Sequence, residues 1–503
     1  MPAFALQVHN QYMPGARSCS ALLALTLTAA AASESRPQPC RVRGVPGQAL
    51  CATLPVWENR ATKTGRRIEL NIVILPAFDK DPAPDPLFLL HGGPGAPASE
   101  LAHGFSNHSL RTHRDIVMID QRGTGGSHRL DCDFYGNPPD LQRLVTSEFP
   151  IDQVRACREQ LSRIADLTQY TTGIAMDDVD EARQWLGYGK INIWGGSYGS
   201  MAAQVYLRRH GDNVRAMVLQ GVAPVDELVP LHHAAAGQRA VNLLFDRCRA
   251  DAGCNTAYPH LREDFAAMFA RVRRGAEADV HDLAGRTARV RPGVEALAEG
   301  IRHRMYGDTG MALAGMIHRA AGGDLSPIVQ AAVTADINLD RSLAMGLLLS
   351  VSCSEHLPYI TSEMAARETA GTFLGDLRIQ EQQAACAEWV RGEVPPDAHT
   401  LVHSSVPVLL LSGNLDPVTP PEFGDRVAKQ LPNSRHIVFP EASHGGVGDC
   451  GSYVMTDFIQ RGTLQGLDTA CLARRPVRTG AVVGGFAAVV AGIVVAIRLR
   501  SRG

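Results

Sequence analysis

Trp194-Gly195-Gly196-Ser197-Tyr198-Gly199-Ser200 puts a serine where an apolar run, Ile191 to Trp194, gives way to a helix-like segment, Met201 to Arg209. A G-x-S-x-G turn between strand and helix pushes the serine hydroxyl into the open at the carboxyl edge of a sheet. The small residues Gly195 and Gly199 let strand and helix backbones approach closely enough to make that turn. Such a hydroxyl is a poor nucleophile until a base takes its proton. The chemistry implied is acyl transfer through a serine ester. The bland reading is a Gly-rich turn that happens to hold a serine.

The partners are expected downstream, in the order serine, acid, histidine. Val408 to Leu411 reads as a buried strand and runs into Ser412-Gly-Asn-Leu-Asp416-Pro-Val-Thr-Pro-Pro421. His436 to Phe439 reads as a short strand, followed by Pro440-Glu-Ala-Ser-His444-Gly-Gly446. Asp416 and His444 thus both sit just past strand ends, where open α/β sheets gather catalytic groups. Any one of the 18 histidines taken alone is an ordinary surface or core residue; the order and placement single out His444. Asp449 is a rival acid but follows the histidine. Upstream, the apolar run Pro86 to Leu90 leads into His91-Gly92-Gly93-Pro94-Gly95. Acyl transfer needs two backbone N–H donors aimed at the developing oxyanion. Tyr198 and Gly93 are the expected donors, since Pro94 has no N–H. Asp115 to Asp120 reads as the next strand, and Asp120 and Arg122 are expected to form a buried pair bracing the site.

Together, HGGPG at 91–95, DQRGTG at 120–125, GGSYG at 195–199 and the distant Asp and His resemble the prolyl aminopeptidase family of α/β-hydrolases, and most of all its secreted tripeptidyl-aminopeptidase-like branch. The resemblance implies an α/β-hydrolase fold with a mostly parallel sheet and an inserted helical lid. It implies cleavage of short peptides from a free N-terminus, with Ser197, Asp416 and His444 as the triad and no cofactor. It leaves open how many residues leave per cut, and relatives with the same motifs act on esters.

The elements that must position these residues follow a simple plan. Residues 40–224 carry the first part of the α/β core. Residues 225–400 break the strand–helix alternation and read as a helical lid, with Leu243, Phe245, Met268 and Phe269 at helical spacing. Residues 401–472 return to the core with the Asp and His strands. A peptidase acting at a free N-terminus must bind an ammonium, which calls for a carboxylate in a partly dry pocket. Glu355, in Ser352-Cys-Ser-Glu-His356, is the expected one; Asp226 and Glu227 are alternatives, and His356 is read as structural.

The chain has 503 residues, 45% hydrophobic and 20% charged, enough to bury a large core. A net charge of −2 gives no reason to expect nucleic-acid binding. Ala21 to Ala32, preceded by Arg17, reads as the core of a secretory signal spanning 1–32, with Met13 as an alternative start. The uncharged span 479–497 ends in Arg498, Arg500 and Arg502. As a helix it would reach about 28 Å, close to a hydrocarbon core of about 30 Å, so it reads as a membrane anchor. The arginines on its two flanks balance, so the signal segment decides orientation: catalytic part outside.

With Cys19 removed, ten cysteines remain and none shows zinc spacing, so no metal is expected. An exported chain keeps disulfides. Similarity to relatives in cysteine placement favours joining successive cysteines: 40–51, 132–157, 248–254, 353–386 and 450–471. Gly446 to Gly451 fits G-x-G-x-x-G but lacks a βαβ context, so no dinucleotide is expected. Two rival readings are an esterase or amidase of small acyl compounds on the same fold, and a non-catalytic tethered binding protein. The intact Ser–Asp–His order counts against the second.

Overall fold

The structure, a computed structural model, describes residues 36–307 and 311–473. The chain divides into two units, Met1–Ser35 and Arg36–Gly503, and the described residues all belong to the second. The expected signal segment and the expected anchor at 479–497 lie outside the described residues. Among the described residues no helix is long and apolar enough to cross a membrane.

Among the described residues eleven strands form in chain order: β1 (Gln38–Cys40), β2 (Ala49–Trp57), β3 (Arg67–Leu75), β4 (Leu87–Leu90), β5 (Ile116–Ile119), β6 (Ile191–Gly196), β7 (Val214–Gln220), β8 (Ala278–His281), β9 (Thr287–Val290), β10 (Val408–Gly413) and β11 (Ser434–Phe439). Nine of them make one sheet in the order β1-β2-β3-β5-β4-β6-β7-β10-β11. The β1-β2, β2-β3 and β3-β5 pairs are antiparallel, and every pair from β5 onward is parallel. Strands β4, β5, β6 and β10 are buried along their whole length, as parallel strands covered on both faces must be.

The period-2 alternation divides their side chains between two cores. Phe88, Val117, Ile193, Met217 and Leu410 face one. Leu89, Met118, Trp194, Val218 and Leu411 face the other, with Val454 and Phe458 of the helix Gly448–Arg461. The first core continues into the segment between β7 and β10, so one apolar body joins sheet and insertion.

Among the described residues the insertion forms helices and the hairpin β8–β9, whose short turn carries Gly285 at φ +84°. Five disulfides join Cys40–Cys51, Cys132–Cys157, Cys248–Cys254, Cys353–Cys386 and Cys450–Cys471. Disulfides of this kind form and persist in oxidising, extracytoplasmic compartments.

One expectation is corrected. Asp120 and Arg122 are both buried but do not pair with each other. Asp120 accepts from Asn71 Nδ2, Ser99 N and Gly126 N, knitting the loops beyond β5. Arg122 binds Asp178 through two bonds of 2.6 and 2.8 Å. Asp178 lies on the helix Thr172–Trp185. The chain turns directly after β5, and each side chain takes partners from elsewhere in the fold rather than from the other.

Candidate active site

The carboxyl ends of β4, β6, β10 and β11 share one edge of the sheet, and the four sequence motifs emerge there. Ser197 stands between β6 and the helix Tyr198–His210 with φ 56° and ψ −127°. A non-glycine residue held in such a conformation costs about 1–3 kcal/mol, so the surroundings must impose it. The first turn of the helix presses on the end of β4: a Cβ on Gly199 would stand 2.1 Å from Leu90 O. Ser197 N donates to Gln220 O at 2.9 Å, anchoring the turn to the end of β7. The HGGPG loop lies against the serine, since a Cβ on Gly92 would sit 3.0 Å from Ser197 Cβ. Tyr198, first residue of the helix, has an N–H without an intrahelical acceptor by position, as every helix start does.

The acid and the histidine are laced together by backbone. Asn414 N donates to Phe439 O and Leu415 N to Ala442 O, both at 2.9 Å. The loops approach so closely that a Cβ on Gly413 would meet Ser443 O at 2.3 Å, a contact only glycine permits. Asp416 is fully buried. Its Oδ1 accepts from Val418 N at 2.9 Å and Thr419 N at 2.8 Å, an Asx-type turn. Its Oδ2 lies 2.8 Å from His444 Nδ1. Thr419 Oγ1 donates to the same Oδ2 at 2.8 Å and stands 3.1 Å from His444 Nδ1. This arrangement orients the imidazole with Nε2 left for other work. Gln220 and Gly221 join the two halves. Gln220 Nε2 donates to Gly445 O, and a Cβ on Gly221 would stand 3.3 Å from His444 Cε1. The rival acid Asp449 is exposed on the helix Gly448–Arg461.

The insertion reaches the histidine as well. The Tyr306 ring packs edge-on to His444 with centroids 4.8 Å apart. Its hydroxyl accepts from Arg302 Nη1 at 2.6 Å. Arg302 and Arg378 converge on Glu299 Oε2, and Arg378 also meets Glu148. Burial opposes the charge on Glu299, but the two arginines outweigh it and hold its carboxyl well below the usual range. Burial pushes Glu148 up to about 7 against the pull of Arg378. Burial, then the charges of Glu148 and Glu299, hold Asp336 well above the usual range. Ser443 Oγ also donates to Met305 O, tying the histidine loop to the insertion.

Glu355 ends the helix Met345–Glu355 and is half-buried against the start of Thr172–Trp185. Thr172 N donates to Oε1 at 2.6 Å and Thr172 Oγ1 to Oε2 at 2.7 Å. The residue lines a cavity of about 260 Å³ with Thr172, Met201, His356 and His399. Asp226 and Glu227 are both met by Arg426, and Glu227 also by His232. Among the described residues no cluster of His, Cys, Asp or Glu is arranged to hold a metal ion.

Sequence reasoning missed Thr419, Gln220, Tyr306 and Thr172. Thr419 had a signal, since a threonine three residues after an aspartate in a turn is a local hydrogen-bonding pattern. Tyr306 had none.

The model of the alpha/beta hydrolase fold matches residues 85–251, and that described as TAP-like protein matches 344–471. The chain has the alpha/beta hydrolase fold, its two matched stretches carrying sheet strands from either side of the helical insertion. Within that class it is related to peptidases. Serine protease Hip1 of Mycobacterium tuberculosis is 27% identical over 491 residues, covering 84% of this chain and 88% of the relative. Proline iminopeptidase of Neisseria gonorrhoeae is 33% identical over 137 residues, 27% of this chain; the chain spans only 32% of that relative's length. The crystal structure of proline iminopeptidase from Mycobacterium smegmatis aligns with 82% of this chain and 98% of that one at 16% identity and a TM-score of 0.38.

Proposed function

We propose that the protein is an exported serine aminopeptidase that releases short peptides or single residues from free N-termini through an acyl-enzyme on Ser197. The observation that carries this reading is the Asp416–His444 pair, which lies against Gly221 at the end of β7 while the strained Ser197 turn is anchored to the adjacent Gln220. His444 takes the serine proton as the hydroxyl attacks the scissile carbonyl. Asp416 keeps the imidazole in one tautomer and stabilises its cation. The N–H groups of Gly93 and Tyr198 receive the oxyanion. His444 then protonates the leaving amine, and water releases the acyl group by the same steps in reverse.

The ammonium of a peptide substrate needs carboxylates out of bulk water. Glu148, Glu299 and Asp336 form such a set on the insertion side, linked to His444 through Arg302 and Tyr306. Glu148 and Asp336, whose ionisation burial and neighbouring carboxylates oppose, are the ones an incoming cation would ionise. Glu355, the sequence's choice for this role, has both oxygens engaged by Thr172. The proposal includes a signal at 1–32, a lid at 225–400 and a membrane anchor at 479–497, with the catalytic part outside.

The test is the oxidised ectodomain on one-, two- and three-residue chromogenic peptide amides, each with a free and an acetylated N-terminus. Cleavage of free-amine substrates alone, abolished in Ser197→Ala, is the expected result. If both are ignored while short acyl esters turn over through Ser197, the protein is an esterase instead.

A further inference from the structure

Tyr198 carries more than its backbone N–H. Its side chain is buried, and its hydroxyl lies 2.7 Å from Thr172 Oγ1. Thr172 Oγ1 donates to Glu355 Oε2, so its remaining acceptor position takes the tyrosine proton. A directed chain results: Tyr198 O–H to Thr172 Oγ–H to the Glu355 carboxyl. Thr172 N fixes the other carboxyl oxygen. Three elements distant in sequence meet here, for Thr172 and Glu355 are 183 positions apart. Glu355 is itself held: Cys353 is bonded to Cys386, and Glu355 O lies 2.6 Å from His399 Nε2.

The peptide between Ser197 and Tyr198 is the one whose N–H the acyl-enzyme reading assigns to the oxyanion. Its plane is set by ψ of Ser197, which is strained, and by φ of Tyr198. Strain persists only where both ends are held. Ser197 N is held by Gln220 O, and the far end by the tyrosine hydroxyl. We propose that Glu355 is a positioning residue that, through Thr172 and the Tyr198 hydroxyl, aims the Tyr198 N–H at the oxyanion. This rests on the acyl-enzyme reading of Ser197 but not on peptides being the substrate. It gives Glu355 work in the transition state rather than in recognition of the substrate's ammonium.

The two roles separate in kinetics. A positioning residue lowers kcat for every acyl substrate and leaves KM alone. An ammonium binder raises KM for free-amine substrates and leaves esters untouched. Removing an oxyanion donor outright costs about 10²–10³ in kcat, so a misaimed donor should cost about 10–100-fold. The experiment measures kcat and KM of wild type, Tyr198→Phe, Glu355→Ala and Glu355→Gln on a free-amine peptide amide and a short acyl ester. Affinity for a peptide aldehyde, which forms a tetrahedral adduct, is measured in parallel. Tyr198→Phe removes the hydroxyl while keeping the N–H and the ring, so it carries the test even where Glu355→Ala fails to fold.

Expected are kcat losses of about 10–100-fold on both substrates for Tyr198→Phe and Glu355→Ala, KM within about twofold, and aldehyde affinity weakened in proportion. Glu355→Gln, which still accepts from Thr172 N, should recover most of the loss. Unchanged ester kcat in Tyr198→Phe overturns the proposal, as does a Glu355→Gln effect confined to KM of the amine substrate. If peptides are not cleaved at all, the aminopeptidase reading fails while the ester arm still decides this one.

Discussion

His444 is held from two sides that are built in opposite ways. On the core side stand Asp416 and Thr419, one turn of chain fixed by backbone donors and by loops that only Gly413 allows to touch. On the insertion side stand the Tyr306 ring and, behind it, a buried cluster of Arg302, Arg378, Glu299 and Glu148. The core side costs little to build, because short-range turn chemistry satisfies its one buried charge. The insertion side takes several charges out of water, and their attraction must offset that desolvation. The first is therefore suited to fixed catalytic geometry. The second is suited to respond to a charged substrate.

The comparison breaks most visibly at Asp416. Asp416→Asn keeps the turn but offers His444 the wrong tautomer, and kcat should fall by about 10⁴-fold with the fold intact. Steady-state kinetics beside a thermal melt would show it. A loss below tenfold would mean that His444 does not depend on this carboxylate.

The insertion side should answer in stability instead. Glu299→Gln removes the carboxylate that buried Arg302 shares with half-buried Arg378, and removing one partner of a buried pair costs about 3–5 kcal/mol. Denaturant unfolding measures this. An unchanged midpoint would place those arginines in water.

The same cluster gives a pH signature of mixed sign. The Glu148 carboxyl, raised to about 7 from an ordinary 4.5, binds its proton more tightly in the folded state. Its stability contribution is full below about 4.5 and is lost as pH rises toward 7. Glu299, held low, contributes in the other direction: its stability is present above 4.5 and is lost as pH falls toward its depressed folded value. Glu148→Gln should therefore gain stability over wild type progressively between about pH 5 and 7. Melting temperature across that range is the measurement, and a difference constant with pH would refute the assignment.

The two sides also differ in how far the sequence foretells them. Apolar runs ending in Gly-rich loops mark β4, β6 and β10 because fully buried parallel strands must be continuously apolar. Ser197 and Asp416 stand out because each follows such a run, whereas His444 follows β11, a partly exposed strand, and stands out by its Gly-rich loop and its place after Asp416. β1–β3 escaped notice because a half-exposed antiparallel strand such as Ala49–Trp57 mixes polar and apolar residues. The partner of Arg122 was misassigned because Asp178 is 56 positions away, and no local pattern encodes a contact made by folding. Tyr306 was invisible for the same reason: the neighbouring tie from Ser443 to Met305 spans 138 positions. Local chemistry can be read along the chain, whereas chemistry assembled from buried charges cannot.

The finest division between the two sides is a pair of single-group deletions around His444. Thr419→Val removes the hydroxyl that touches both Asp416 Oδ2 and His444 Nδ1 but preserves the shape of the side chain. It leaves a buried carboxylate short of one donor, which costs about 1–3 kcal/mol. kcat should fall about 10–100-fold if that cost appears as misdirected imidazole. Tyr306→Phe removes only the bond to Arg302 and keeps the ring against His444, so kcat should fall by no more than about threefold, the scale of one net hydrogen bond felt at a distance. Tyr306→Leu removes the ring as well and should cost more than Phe, because the edge-on contact confines the imidazole plane. Equal losses in Tyr306→Phe and Thr419→Val would mean that the Arg302 cluster governs the histidine as directly as its own acid loop. The separation between core-built geometry and insertion-built response would then collapse.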